Sequence, residues 1–393
     1  MSLNETPLAN RVHIGIFGKR NAGKSSIINA MTGQSLAIVS DVAGTTTDPV
    51  LKAMELLPLG PVVMIDTPGL DDVGELGLMR VQKAYQILNK ADIALVVIDG
   101  TVGITAEDEA IIERIKAKNI PYLIVKNKMD LMENMEEGKD TISVSAATGQ
   151  NIYELKERIG RLAPKEDDSR KIVRDILKPG DFVVLVVPID SAAPKGRLIL
   201  PQQQTIRDVL EAGAAAIVTR DNELEKTLQN LGKNPRLVIT DSQVFGTVSK
   251  IVPEDVELTS FSILMARYKG DLEANVKGAR VLEKLKDGDK VLISEGCTHH
   301  RQCEDIGTVK LPRWIKEYTG KELEFCFTSG TEFPIDLSEY AMIVHCGGCT
   351  LNEREMKYRL KCAEDQQIPM TNYGICIAYL NGILERSIRP LGI

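Results

Sequence analysis

Apolar residues along the chain gather into short runs separated by stretches of helical period. In the first third, residues 12–17, 62–65, 122–125 and 142–144 form strand-length runs, and residues 26–30 repeat with helical spacing. In the middle third, 182–187, 215–218 and 237–240 read as strands, with helical stretches at 203–212 and 223–231 between them. The last third continues with runs at 290–293, 325–327 and 341–344, and a helix beginning at Asn352. Strands that are apolar on both faces and alternate with helices predict parallel sheets covered on both sides. The expected fold is therefore α/β, with three domains, each a parallel or mostly parallel sheet with flanking helices. A charged, Pro-containing stretch, APKEDDSRKIV, marks one boundary, and Pro253-Glu254-Asp255 suggests a second. The resulting domains are 1–165, 172–262 and 268–393.

The first strand runs into Gly18-Lys19-Arg20-Asn21-Ala22-Gly23-Lys24-Ser25, and Ser26 opens the helical stretch. That strand, loop and helix order is the context a phosphate-binding loop requires, so the first domain is expected to be a P-loop domain. Glycines let successive N–H groups turn inward onto a β-phosphate, the helix N-terminus adds its positive end, Lys24 reaches the β- and γ-phosphates, and Ser25 coordinates Mg²⁺.

Three further motifs turn a general nucleotide site into a GTP site. Asp66-Thr67-Pro68-Gly69 follows the second apolar run, where Asp66 can hold Mg²⁺ through water and the Gly69 N–H can sense a γ-phosphate. Asn127-Lys128-Met129-Asp130 follows the 122–125 run. Asp130 can accept two hydrogen bonds from guanine N1 and N2, which adenine does not offer, and a carboxylate left unpaired penalises the wrong base. Ser145-Ala146-Ala147 supplies backbone N–H to the guanine O6. Between the P-loop helix and the next strand lies Gly44-Thr45-Thr46-Thr47-Asp48, where one threonine, assigned to Thr46, closes on Mg²⁺ when γ-phosphate is present.

Composition narrows the class. The 393 residues carry a formal charge of -7 with basic and acidic residues interspersed, which gives no electrostatic footprint for nucleic acid. No apolar run approaches the ~18 residues of a membrane span, and the start lacks a signal-peptide pattern. A cytoplasmic protein that partners neither nucleic acid nor membrane is expected. In a reducing compartment its seven cysteines point to metal ligation or burial rather than disulfides.

Five soft or borderline ligands stand at the ends of two strands in the last third: Cys297 and His299, then His345, Cys346 and Cys349. The C-x-x-C spacing lets Cys346 and Cys349 bind one centre, with Gly347-Gly348 turning N–H groups toward sulfur, and Cys297 is the natural third thiol. His299, His345, Glu304 and Asp305 are the candidates for a fourth position, ahead of Cys303. Cys326, Cys362 and Cys376 read as buried thiols. A structural zinc with Cys₃His ligation has the same spacing.

Residues 12 to about 162 resemble the translation-factor-related GTPases of the tRNA-modification type. The resemblance implies that Asn21 helps to coordinate a K⁺ ion beside the phosphates. Leu70 stands where Ras-like proteins orient the attacking water with glutamine, so hydrolysis is expected to be slow without such help. The GTPase set combined with Cys297-x-His299, and with His345-Cys346-x-x-Cys349 after a spacer of 45 residues, closely resembles the [FeFe]-hydrogenase maturation GTPases over nearly the whole chain. What this resemblance implies is a [4Fe-4S] cluster on Cys297, Cys346 and Cys349 with one iron open to exchange, and a middle domain that makes a homodimer. It also implies a scaffold that receives a di-iron precursor made with two radical-SAM maturases and passes it to apo [FeFe]-hydrogenase. The competing class is an RNA-modification or ribosome-assembly GTPase, which would need an RNA-binding face, and no RNA-binding motif occurs in the sequence.

Overall fold

The computed structural model describes residues 8–33, 50–70, 84–132, 138–163, 171–189, 198–296, 305–330 and 332–393. The chain divides into two compact units, 1–167 and 168–393.

The first unit is a six-stranded sheet of β1 (Val12–Phe17), β2 (Val50–Leu56), β3 (Gly60–Asp66), β4 (Ile93–Asp99), β5 (Tyr122–Asn127) and β6 (Thr141–Ser143), ordered β2-β3-β1-β4-β5-β6. Every pairing is parallel except that of β2 with β3. Its helices include α1 (Lys24–Thr32), α2 (Ala106–Ala117) and α3 (Ile152–Leu162), and residues 84–88 are helical as well. Alternation along the strands divides the core. Ile14, Ile16, Val62, Met64, Leu95 and Val97 pack with Ile27, Ile28, Leu155 and Ile159 of α1 and α3, while Val63, Ile65, Val96 and Ile98 pack with Ile111 and Ile115 of α2. Because the chain leaves β1 in one direction and β4 in the other, the crevice for a ligand opens at their carboxyl ends, where the P-loop begins.

The second unit holds two four-stranded parallel sheets. The first contains β7 (Phe182–Val186), β8 (Ala215–Thr219), β9 (Leu237–Thr240) and β10 (Glu257–Ser260), in the order β10-β9-β7-β8. The second contains β11 (Lys290–Ser294), β12 (Glu324–Thr328), β13 (Met342–His345) and β14 (Met370–Asn372), in the order β12-β11-β13-β14. Helices α4 (Leu200–Glu211), α5 (Leu224–Asn230), α6 (Phe245–Ile251), α7 (Phe261–Lys269), α8 (Leu272–Ala279), α9 (Leu311–Thr319), α10 (Glu353–Asp365), α11 (Tyr373–Leu380) and α12 (Leu384–Ile388) complete it.

One hydrophobic cluster takes side chains from both sheets. Val184, Val186, Val238 and Leu258 meet Val291, Ile293, Met342 and Val344 through Ile263, Val276, Ile375 and Ile377. The segment 253–255, whose composition suggested a boundary, is a tight turn closed by Val256 N–H to the Pro253 carbonyl, and it leads directly into β10. Arg386 fastens that turn to the C-terminal end of the chain, donating to the carbonyls of Val252 (2.9 Å) and Pro253 (2.6 Å). Strands β2, β4, β10 and β14 were not foreseen from sequence: β4 is an unbroken apolar run that was passed over, whereas β10 and β14 carry buried polar residues, Thr259, Ser260, Thr371 and Asn372, in place of an apolar run.

Candidate functional site

The nucleotide site grows from β1, whose end delivers Gly18 and Lys19. Lys24 opens α1, and its Nζ donates to the carbonyls of Gly18 (2.9 Å) and Lys19 (2.8 Å), so its charge lies over the loop that cradles phosphate. Gly23 has φ +94°, and a Cβ there would lie 2.1 Å from Asn127 Nδ2, so two constraints exclude a side chain at this position. The Ser25 hydroxyl donates to Asp66 Oδ2 at 2.8 Å, bringing together the two predicted Mg²⁺ residues. Burial pushes the Asp66 carboxyl up, opposed by Ser25, Lys24 and Lys52. Asn21 is exposed in a left-handed conformation, Ala22 is buried, and Ser26 lies in the first turn of α1. Gly69 and Leu70 are buried beneath the loop, and the Leu70 N–H reaches the Gly18 carbonyl at 3.4 Å. Thr46 lies outside the described residues.

The base-recognition residues lie at the ends of β5 and β6. Asn127 donates through Nδ2 to the Ala22 carbonyl and accepts the Ala146 N–H on Oδ1, each at 3.0 Å. Asp130 and Ala147 are exposed, and the buried Ser145 accepts the Thr148 N–H on its hydroxyl. Asp99 was not foreseen. It ends β4 and pairs with Lys128 at 2.5 Å. Burial pushes the Asp99 carboxyl up, but hydrogen bonds from Lys128 and Thr101 outweigh it and hold it below its usual range. Its only sequence signal is an acid at the end of an apolar run.

The cysteine site stands at the carboxyl ends of β11 and β13. These are the adjacent strands from which the chain departs in opposite directions, so a crevice opens there too. In register, Ser294 lies opposite His345, and the Cys346 N–H donates to the Ser294 carbonyl at 2.9 Å. Two backbone N–H groups converge on Cys346 Sγ, from Gly296 at 3.0 Å and Gly348 at 3.4 Å. Thr350 Oγ1 locks the pair of loops by donating to the Gly296 carbonyl at 2.8 Å. Gly348 sits at φ +61°, which favours glycine, and a Cβ there would also displace Met356 Sδ, 2.5 Å away, so the second glycine of the motif is demanded by the backbone.

Cys297, His299, Cys303 and Glu304 lie outside the described residues. Among the described residues, no group of three or more His, Cys, Asp and Glu side chains is arranged to hold a metal ion. His345 is fully buried. Its Nδ1 faces the Cys346 carbonyl at 2.7 Å and its Nε2 meets Arg359 Nη1 at 3.0 Å. Arg359 donates at Nε2, so the ring proton is on Nδ1 and both ring nitrogens are engaged. Burial first, and then the Arg359 charge, pull the His345 pKa down to about 3. Asp305 caps the turn that follows it, accepting from the Thr308 N–H and hydroxyl at 2.8 and 2.9 Å. Of the three cysteines read as buried thiols, Cys376 is fully buried, whereas Cys326 and Cys362 are half-buried.

Two unforeseen residues complete the surroundings. Arg359 is fully buried and also bonds Glu355, Ser294 and the Gly330 carbonyl. Lys269, the last residue of α7, is 4% exposed, and its Nζ donates to the carbonyls of Gly348 (3.1 Å) and Leu351 (3.0 Å). Burial pulls the Lys269 pKa down, while Cys349, Cys346 and Glu353 oppose the shift. Burial likewise pushes the Cys346 thiol up to about 11 and the Cys349 thiol up. A desolvated ammonium beside two thiols, one of which already accepts two N–H bonds, suits a ligand set held as thiolates on a soft metal centre.

The chain matches family models over most of its length. Residues 13–128 match the 50S ribosome-binding GTPase model, 172–270 the hydrogen maturase F dimerization domain, and 273–390 the hydrogen maturase F tetramerization domain. Among curated proteins, the tRNA modification GTPase MnmE of Laribacter hongkongensis is 36% identical over 155 residues, covering 37% of this chain and 33% of MnmE. GTPase Der of Wolinella succinogenes is 37% identical over 195 residues, covering 44% of this chain and 40% of Der. The chain thus spans well under half the length of these relatives. A solved structure of Aquifex aeolicus Era bound to GDP.AlF4- covers 53% of this chain and 92% of its own, with 24% identity and a TM-score of 0.36.

Proposed function

Since the chain belongs to the hydrogen maturase F family, with a P-loop GTPase domain preceding the two domains that carry that name, we propose that it is a GTP-hydrolysing scaffold for [FeFe]-hydrogenase maturation. It binds a [4Fe-4S] cluster through Cys297, Cys346 and Cys349, carries a di-iron precursor made with two radical-SAM maturases, and delivers it to apo [FeFe]-hydrogenase. The observation that carries this reading is the Gly296 N–H on Cys346 Sγ, at 3.0 Å. It draws the residue next to Cys297 onto the thiol of the C-x-x-C loop, although 50 positions separate the two in the chain. Such a cluster supplies an iron with an exchangeable position. The chain's own contribution is N–H bonding to sulfur, a buried cation and a diglycine loop with room for close approach. The fourth ligand is sought among His299, Glu304 and Asp305, since His345 spends both ring nitrogens on Cys346 and Arg359.

In the first unit, GTP and Mg²⁺ are held by the P-loop, Ser25, Asp66 and Thr46, and Asp130 reads the guanine. A K⁺ ion beside Asn21 supplies the charge that a catalytic arginine provides elsewhere, and GTP state sets which partner is engaged. Self-association is favoured by β8, an open edge strand with Val218 exposed, and by the exposed Leu210 on α4 nearby in the chain. Among the described residues no helix is long and apolar enough to cross a membrane.

Anaerobic purification tests the central proposal. A brown protein containing iron and acid-labile sulfide, which bleaches when Cys346 is replaced by serine, is the expected result. A colourless protein with stoichiometric zinc would replace the cluster with a structural metal.

A further inference from the structure

The ammonium of Lys269 is a buried charge at the cysteine site. It is almost wholly buried, and both of its hydrogen bonds to the cysteine loop go to neutral carbonyls, Gly348 and Leu351. Desolvating a cation is expensive unless an opposite charge lies close by. Burial works against its charge and lowers its pKa, and the groups that oppose burial are Cys349, then Cys346 and Glu353. Its own helix adds a small contribution of the right sign, because the C-terminal end of α7 is the negative end of the helix dipole. The side chain therefore sits where two thiolates would need it, and it holds the loop that presents them.

Its origin in the fold matters as much. Lys269 ends α7, which follows β10 of the first sheet of this unit, whereas Gly348, Cys349 and Leu351 follow β13 of the second. We propose that Lys269 is the counter-charge and positioning residue of the cysteine site: it ties the Cys346–Cys349 loop to the α7 helix and offsets the negative charge of a thiolate-ligated centre. Through this link, a displacement of α7 relative to the second sheet changes both the loop geometry and the charge at the centre.

This inference rests on the cluster reading above, and the experiment separates the two. The full-length protein is reconstituted anaerobically with iron and sulfide, in parallel for wild type, Lys269→Arg, Lys269→Gln and Lys269→Met. Iron, sulfide and zinc are then quantified, and the reduction potential of the bound centre is measured by optical titration. Removing a positive charge beside an anionic centre disfavours electron uptake, so the Gln and Met variants shift to a more negative potential while Arg stays near wild type. Gln keeps N–H donors, on a slightly shorter side chain, and loses the charge. Equal potentials in wild type, Gln and Met at equal iron content would overturn the counter-charge role. If the neutral variants lose the centre and Arg keeps it, the need for charge stands. If Arg, Gln and Met all lose it alike, the site needs the shape of lysine and not its charge, and the inference fails. A wild-type protein that takes up zinc and no iron removes the cluster reading itself.

Discussion

Asn127 Nδ2 donates to the Ala22 carbonyl at 3.0 Å, so the motif that reads guanine is fastened to the loop that binds phosphate across 105 positions of sequence. The other end of the same carboxamide accepts the Ala146 N–H. One buried side chain therefore fixes three nucleotide-binding segments relative to each other. Asn127→Ala leaves a buried carbonyl and N–H without partners, which costs about 1–3 kcal/mol. Nucleotide affinity should fall on the order of 10- to 100-fold. Fluorescent GDP titration would measure it, and an unchanged Kd would mean that the segments are held by other contacts.

Lys24 and the cysteine site belong to separate compact units. Lys24→Ala should lower GTP hydrolysis by at least ~100-fold through loss of charge at the phosphates, while iron content and the visible spectrum stay at wild-type levels. Loss of iron together with hydrolysis would contradict this separation.

Buried Leu70 offers no group to orient water, and Asn21 is exposed at the P-loop. Hydrolysis should therefore be faster in KCl than in NaCl at equal ionic strength, and Asn21→Ala should abolish the difference. Equal wild-type rates in the two salts would refute the K⁺ role.

Arg359 is fully buried with four side-chain or carbonyl partners behind the cysteine loop, among them Glu355 at 2.9 Å. Arg359→Met would leave Glu355 as an uncompensated buried carboxylate, which should cost about 3–5 kcal/mol of stability. Urea unfolding of the second unit would register it. The double variant Arg359→Met with Glu355→Gln should recover part of the loss, because it removes the stranded charge.

Several features were legible from one dimension. The P-loop, Asp66, Asn127 and Asp130 announce themselves because a phosphate loop and a base-reading loop use contiguous residues at strand ends. The strands β1, β3, β5, β7, β9, β11 and β13 were equally visible, since burial on both faces produces unbroken apolar runs. Strands β10 and β14 were hidden, because buried polar residues, Thr259, Ser260, Thr371 and Asn372, stand where an apolar run would announce a strand, and their pairing partners define them. The link between the two sheets of the second unit was hidden for a related reason. The Pro253-Glu254-Asp255 turn has linker composition, and only the long-range bonds from Arg386 reveal it as a packed corner.

The sequence by itself determined the α/β class, the nucleotide-binding motifs and the C-x-x-C pair, because each is written in neighbouring residues whose spacing has a direct physical meaning. Tertiary structure alone decided what surrounds that pair. Lys269, Gly296 and Arg359 lie between 10 and 80 positions from the Cys346–Cys349 loop and carry no motif of their own. Burial brings them together: parallel strands β11 and β13 end side by side, α7 lies against the loop, and a charged group in that dry space acts on sulfur with a strength that no sequence window reveals.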